Sequence, residues 1–100
     1  MGIIRLEGTI AAAGTSTLYT VPALTSANTA GIRFNNTLAN NITLSIYNSV
    51  SLGTTNIYTV SLSAGDTLTD NFVYVLTAGD QLKVTTTSVN TTYILTIQEY

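Results

Sequence analysis

Three aspartates lie near enough in sequence to suggest chemistry: Asp66, Asp70 and Asp80. Grouped carboxylates can hold calcium or divide acid and base roles in hydrolysis. Calcium takes about six to eight oxygen ligands, and no stretch of this chain has the spacing of an EF-hand loop. A glycosidase pair needs two carboxylates facing each other across a cleft. The local pattern favours a plainer role. Leu62-Ser63-Ala64-Gly65-Asp66-Thr67-Leu68 and Leu76-Thr77-Ala78-Gly79-Asp80-Gln81-Leu82 are one phrase written twice. Each copy reads as a strand ending in a hydroxyl residue, a tight turn, and a new strand opening on leucine. Gly65 and Gly79 supply the positive φ such turns demand, and Asp66 and Asp80 can hydrogen-bond back onto their own backbone. These four residues are read as turn-shaping. No catalytic residue, cofactor or metal is expected.

The rest of the inventory narrows the chemistry further. Histidine and cysteine are both absent. That removes Ser-His and Cys-His nucleophile pairs, imidazole bases, thiolate metal sites and disulfides. An enzyme is the least expected outcome. What remains is a set of six tyrosines, at 19, 47, 58, 74, 93 and 100. Tyr74 and Tyr93 are expected in the core. Tyr19 and Tyr47 fall on outward phases and are candidate interface residues, since tyrosine is enriched in protein contacts. Ile3 and Ile4, in an N-terminal segment that could be a first strand or an assembly arm, complete the candidate interface set.

Charge is scarce. Asp, Glu, Lys and Arg make up 8% of the 100 residues, with a net charge of −2, against about 25% in ordinary soluble domains. A free monomer of this size usually carries more surface charge to stay dispersed. We therefore expect much of the surface to be covered by other protein. Three cations cannot form a basic stripe, so nucleic acid is not an expected partner. No apolar run approaches the roughly 20 residues that span a bilayer, so neither is a membrane. The opening Met1-Gly2-Ile3-Ile4-Arg5-Leu6-Glu7 lacks a signal peptide's apolar core. Synthesis and folding in a cytoplasm are expected.

These residues must be positioned by strands. Apolar residues recur at a spacing of two, and the only proline is Pro22. Strands are expected near residues 3–10, 15–21, 30–35, 42–47, 58–62, 72–76, 82–84 and 93–97. Ile42, Leu44 and Ile46 alternate with Thr43, Ser45 and Tyr47 in the cleanest half-buried pattern. Phe72-Val73-Tyr74-Val75-Leu76 is the most strand-like run, with Phe72, Tyr74 and Leu76 inward. Residues 48–56 read as a polar loop. About eight short strands without significant helix give an all-β fold: a single antiparallel two-sheet β-sandwich of jelly-roll or Greek-key type. Residues 1–14 form its N-terminal strand or arm, and residues 15–100 the sandwich domain.

The order of these motifs resembles small β-sandwich structural proteins of tailed bacteriophage virions, of the decoration or fibre type. Thr17-Leu18-Tyr19-Thr20-Val21-Pro22-Ala23 resembles their opening, and Phe34-Asn35-Asn36-Thr37 the end of a later strand. The two Ala-Gly-Asp phrases follow in the same order, and the resemblance spans roughly Thr15 to Tyr100. One departure is Val21-Pro22-Ala23-Leu24-Thr25, where the pattern has glycine and lysine at the positions of Leu24 and Thr25.

The resemblance implies a non-enzymatic virion component. The expected role is a capsid decoration protein that binds the major capsid protein lattice as a homo-oligomer, with a trimer as the expected state, on the capsid surface. A neck, tail or head-fibre component is the structural alternative. A carbohydrate-binding module for host glycans, using Tyr19 and Tyr47, is the alternative from another class.

Overall fold

The computed structural model describes residues 2–100, and among them nine strands and no helix are found. They are β1 (Gly2–Ile10), β2 (Gly14–Thr20), β3 (Ala27–Asn36), β4 (Asn40–Asn48), β5 (Gly53–Leu62), β6 (Thr67–Asp70), β7 (Val75–Leu76), β8 (Gln81–Thr86) and β9 (Thr91–Glu99). One sheet runs β1-β9-β3-β6, with β7 also on β3, and the other runs β2-β8-β4-β5. All pairs are antiparallel. If β6 and β7 count as one interrupted strand, the pairs nest as first with last, second with second-last, and so inward to β4 with β5. That nesting is the jelly-roll wrap, and the architecture is the two-sheet sandwich the alternation predicts.

The core lies between the sheets. Phe34, Ile42, Leu44, Leu76, Leu82, Val84, Leu95 and Ile97 are fully buried. Each contributes about 1.5–3 kcal/mol relative to an exposed state. Alternation places the outward partners, mostly Thr, Ser and Asn, on the two outer faces. On the β2-β8-β4-β5 sheet, Thr15, Thr85, Thr43 and Thr59 line up directly across four strands. Their hydroxyls bond in pairs, Thr15 with Thr85 and Thr43 with Thr59, each at 2.8 Å.

Three local readings of the sequence are corrected. The register of β2 shifts between Thr17 and Tyr19, so Leu18 and Tyr19 both turn inward. Tyr19, expected outward, is buried, and its hydroxyl donates to Glu99. The polar stretch 48–56 is a loop only as far as Leu52; from Gly53 it is β5, an edge strand exposed on both faces as far as Ile57. The run Phe72–Leu76 is a ladder strand only at Val75 and Leu76. Asp70 Oδ1 accepts the Phe72 N–H at 2.9 Å and kinks the chain. Thr29 then ties the kinked segment to β3: its N–H donates to Tyr74 O, its hydroxyl donates to Phe72 O, and the same hydroxyl accepts from Tyr74 N. Phe72 points out, with 76% of its surface exposed.

Candidate functional site

The two Ala-Gly-Asp turns have the same backbone and different burdens. In each, the aspartate N–H donates to the carbonyl three residues back, at 3.1 Å for Asp66 to Ser63 and 3.0 Å for Asp80 to Thr77. Gly65 and Gly79 sit at φ of +84° and +86°, where a side chain is strained. Asp66 Oδ2 accepts one bond, from Ser63 N at 3.0 Å. Asp80 is buried and accepts four, from the N–H and hydroxyl of Thr77 and of Ser49. Burial alone would raise its pKa, but the bonds from Ser49 and Thr77 outweigh that and hold it below the usual carboxylate value. Asp80 therefore ties the β4–β5 loop to the β7–β8 turn.

The structure does not bring the three aspartates together. Asp66 sits at one end of the sandwich, where Asn36 O accepts the Gly65 N–H, and Asp80 sits at the other, bonded to Val21 and Ser49. Among the described residues no group of three acidic, histidine or cysteine side chains converges to hold a metal. Asp70 lies between the two turns, buried, on the floor of an open groove of about 770 Å³.

That groove runs along one flank, between the edge of β5 and the kinked segment after β6. Ile57, Tyr58 and Val60 form one wall, and Leu68, Phe72 and Tyr74 the other. A register shift in the β4–β5 pairing leaves Ile57 unpaired, as the extra residue of a bulge. Asp70 Oδ2 accepts the Tyr74 hydroxyl at 2.8 Å. Burial, then that bond and the carboxylate's charge, push the Tyr74 pKa up to about 12. Burial, followed by the nearby Asp70 carboxylate, also raises the Tyr58 phenol, whose oxygen is buried with no bonding partner of its own. Phenols held protonated in this way can donate hydrogen bonds but offer neither a nucleophile nor a base near neutral pH. The exposed groove walls are largely apolar.

The β5 wall carries no charge. Residues 34–65 contain no Asp, Glu, Lys or Arg, and β5 lies wholly within them. Val73 and Val75 continue the exposed apolar line, at 60% and 76% exposure. At the Asp80 end, Leu24, Val50 and Leu52 also stand out into solvent, Leu24 fully. Leu24 and Leu52 have φ near +60°, a left-handed backbone that leucine adopts at a cost. Leu24 stands where the resembling chains have glycine, and this φ explains the glycine.

The remaining candidates fall elsewhere. Tyr47 is half-buried on an outer face with the Lys83 ammonium 5.6 Å from its ring centre. Ile3 is exposed and Ile4 half-buried on β1, which pairs with β9 along its whole length. Sequence reasoning weighed Asp70 only as part of an aspartate cluster and did not foresee that it would meet Tyr58 and Phe72, because the groove joins residues from two sheet edges. It also did not single out Asn36 and Asn40, which are buried as anchors: Asn36 Nδ2 donates to Ser63 O, and Asn40 Oδ1 accepts from Thr87 N and Ser88 N.

Strand order and groove together define a jelly-roll sandwich with an open, largely apolar groove along one flank. No protein-family model matches the sequence, and no curated protein matches it. Solved structures do resemble the fold. A Bacillus endospore appendage protein, from disulfide-linked pili, superposes with TM-score 0.62 at 17% identity, over 98% of this chain and 83% of that one. A protein of the acid-stable capsid of Helicobacter pylori bacteriophage KHP30 gives TM-score 0.57 at 13% identity, over 98% and 90%. The globular domain of zebrafish complement 1qA gives 0.57 at 9% identity, over 98% and 96%. At these identities the likeness is one of fold.

Proposed function

We propose that this chain is a non-enzymatic structural subunit of a virion: a capsid decoration protein that binds the major capsid protein lattice as a homo-oligomer, a trimer in the simplest case. The observation that carries the reading is the β5–β6 flank, whose open, largely apolar groove leaves Phe72, Val73 and Ile57 exposed. Contiguous exposed apolar surface of this kind marks protein contact sites. With few charges elsewhere, coverage by neighbouring subunits accounts for the composition. The sandwich likeness to capsid and pilus proteins supports an assembling role at the level of fold. Residues 1–14 serve in this reading as an assembly element rather than as a separate domain. Production in the host cytoplasm and residence on the capsid surface follow from the same reading.

A glycan-binding role loses one of its two tyrosine platforms, because Tyr19 is in the core. A neck, tail or fibre position keeps the same contact chemistry and differs only in the surface bound. The test is addition of purified protein to capsids that lack it. Saturable binding that raises the capsid melting temperature, and is lost in Phe72→Ser, supports decoration. No binding to capsids rejects it.

A further inference from the structure

The other flank of the sandwich ends in β1. One side of β1 pairs with β9 from Gly2 to Ile10, and its other side meets no strand of this chain among the described residues. Edge strands are usually guarded by proline, a bulge or an inward-pointing charge. β1 has none of these. Its pairing with β9 shows no register shift, and its two charges, Arg5 and Glu7, stand on the outer face with side chains 69% and 56% exposed.

We propose that β1 is a self-complementary edge: it pairs antiparallel with β1 of a second copy about a two-fold axis through Leu6. The proposal deepens the assembly reading by naming one partner and one register. Backbone groups at a free edge belong to alternate residues, so two identical antiparallel strands can bond only when the axis passes through a residue. Leu6 is the midpoint of Gly2–Ile10, and an axis there keeps all nine residues in the ladder. It also sets Arg5 of each copy directly opposite Glu7 of the other, on the same face. Opposite charges across a strand pair stabilise it, and like charges destabilise it.

Neighbouring registers are rejected by the same two residues. An axis through Arg5 opposes two arginines, and one through Glu7 opposes two glutamates. Axes through Ile4 or Gly8 leave Arg5 and Glu7 with no opposite charge across the pair, matched only to each other within the chain at 3.8 Å, and shorten the ladder. The sequence thus specifies a single register, as isologous contacts require. On the inner face Leu6 meets Leu6, and Ile4 lies opposite Gly8. The space a Gly8 side chain would fill is already taken by the Tyr93 ring of the same chain, whose hydroxyl lies 2.9 Å from the ideal Cβ position. Ile3, 74% exposed in the single chain, gains cover on the outer face. The two sheets become one continuous sheet.

The test is charge reversal read by sedimentation and native mass. The wild-type protein is expected as an even multiple of the chain, six copies where two trimers meet through β1. Arg5→Glu and Glu7→Arg should each weaken the pairing at least tenfold and halve the mass. The double variant R5E/E7R should restore it to within about threefold of wild type. Both side chains are exposed, so circular dichroism and melting should be unchanged throughout. Single reversals that leave the mass unaltered, a double variant that stays halved, or a wild type that stays a single chain at every concentration would each overturn the proposal. An oligomer indifferent to the reversals would overturn this edge pairing and leave the capsid reading standing. Intact pairing without capsid binding would do the opposite.

Discussion

The two flanks of this sandwich solve the edge problem in different ways. β1 is a regular nine-residue strand with one cation and one anion on its outer face. On the β5–β6 flank β5 carries no charge, and a bulge at Ile57, a kink at Asp70 and a row of exposed apolar side chains leave the edge irregular. A regular edge offers backbone pairing, and charge can then choose the register. An irregular edge offers little backbone, so its contact must come from side chains filling a groove. The difference teaches that one small domain can present two kinds of contact surface with only eight charged residues in the chain.

The comparison can be broken most forcefully at Asp70. Removing its carboxylate strands the Phe72 N–H and the Tyr74 hydroxyl, so Asp70→Ala should cost about 3 kcal/mol in denaturant unfolding. It should also open the groove while leaving the β1 edge competent. A loss under about 1 kcal/mol would mean that the kink is held by other contacts.

Next come the turns that begin and end this flank. Asp80→Asn should cost about 2 kcal/mol, because four bonds converge on that carboxylate. Asp66→Asn, with one such bond, should cost less than about 1 kcal/mol. The pH dependence has the same origin. The folded pKa of Asp80 lies below its unfolded value, so its contribution is complete above the unfolded carboxylate pKa of about 4 and is lost as pH falls through the folded value. Acid unfolding of Asp80→Asn should be correspondingly shallower than that of wild type. Equal losses for the two substitutions would remove the distinction between the turns.

At the alkaline end the sign is reversed. Tyr74 is raised to about 12, so its contribution is full below pH about 10 and is lost as pH rises through 12. Phenolate absorbance should show Tyr19, Tyr58 and Tyr74 ionising last, together with unfolding. Early ionisation of Tyr58 or Tyr74 would show that the groove floor is open to water.

The smallest stability effects belong to exposed groups. Phe72→Ser should change folding stability by less than about 0.5 kcal/mol and yet abolish contact through the groove. Leu24→Gly should relieve a left-handed leucine and gain at most about 1 kcal/mol, the added freedom of the unfolded chain offsetting part of it.

How much of this could be read beforehand depends on the element. Strands with one wet and one dry face, such as β4 and β9, announce themselves through Ile42 and Leu44 or Leu95 and Ile97. The first half of β5 does not, because an edge strand that exposes Thr54, Thr55 and Asn56 has the composition of a loop. Phe72–Leu76 has the highest strand propensity and is mostly not a ladder strand, because the side chains of Asp70 and Thr29 capture the backbone groups a ladder would use. Tyr19 was misplaced by a bulge with no glycine to mark it. The turn geometry could be read locally. The groove could not, since its walls lie on opposite sheets and meet only after folding.

The central claim is that the β5–β6 flank is covered when the protein does its work. A cryo-EM map of the particle carrying this chain tests it most directly. The account predicts ordered density at regular copy number on the outer face of the head, with Phe72 and Ile57 buried against a neighbouring protein. A map with that groove open to solvent, or with the protein absent from the head, would contradict it.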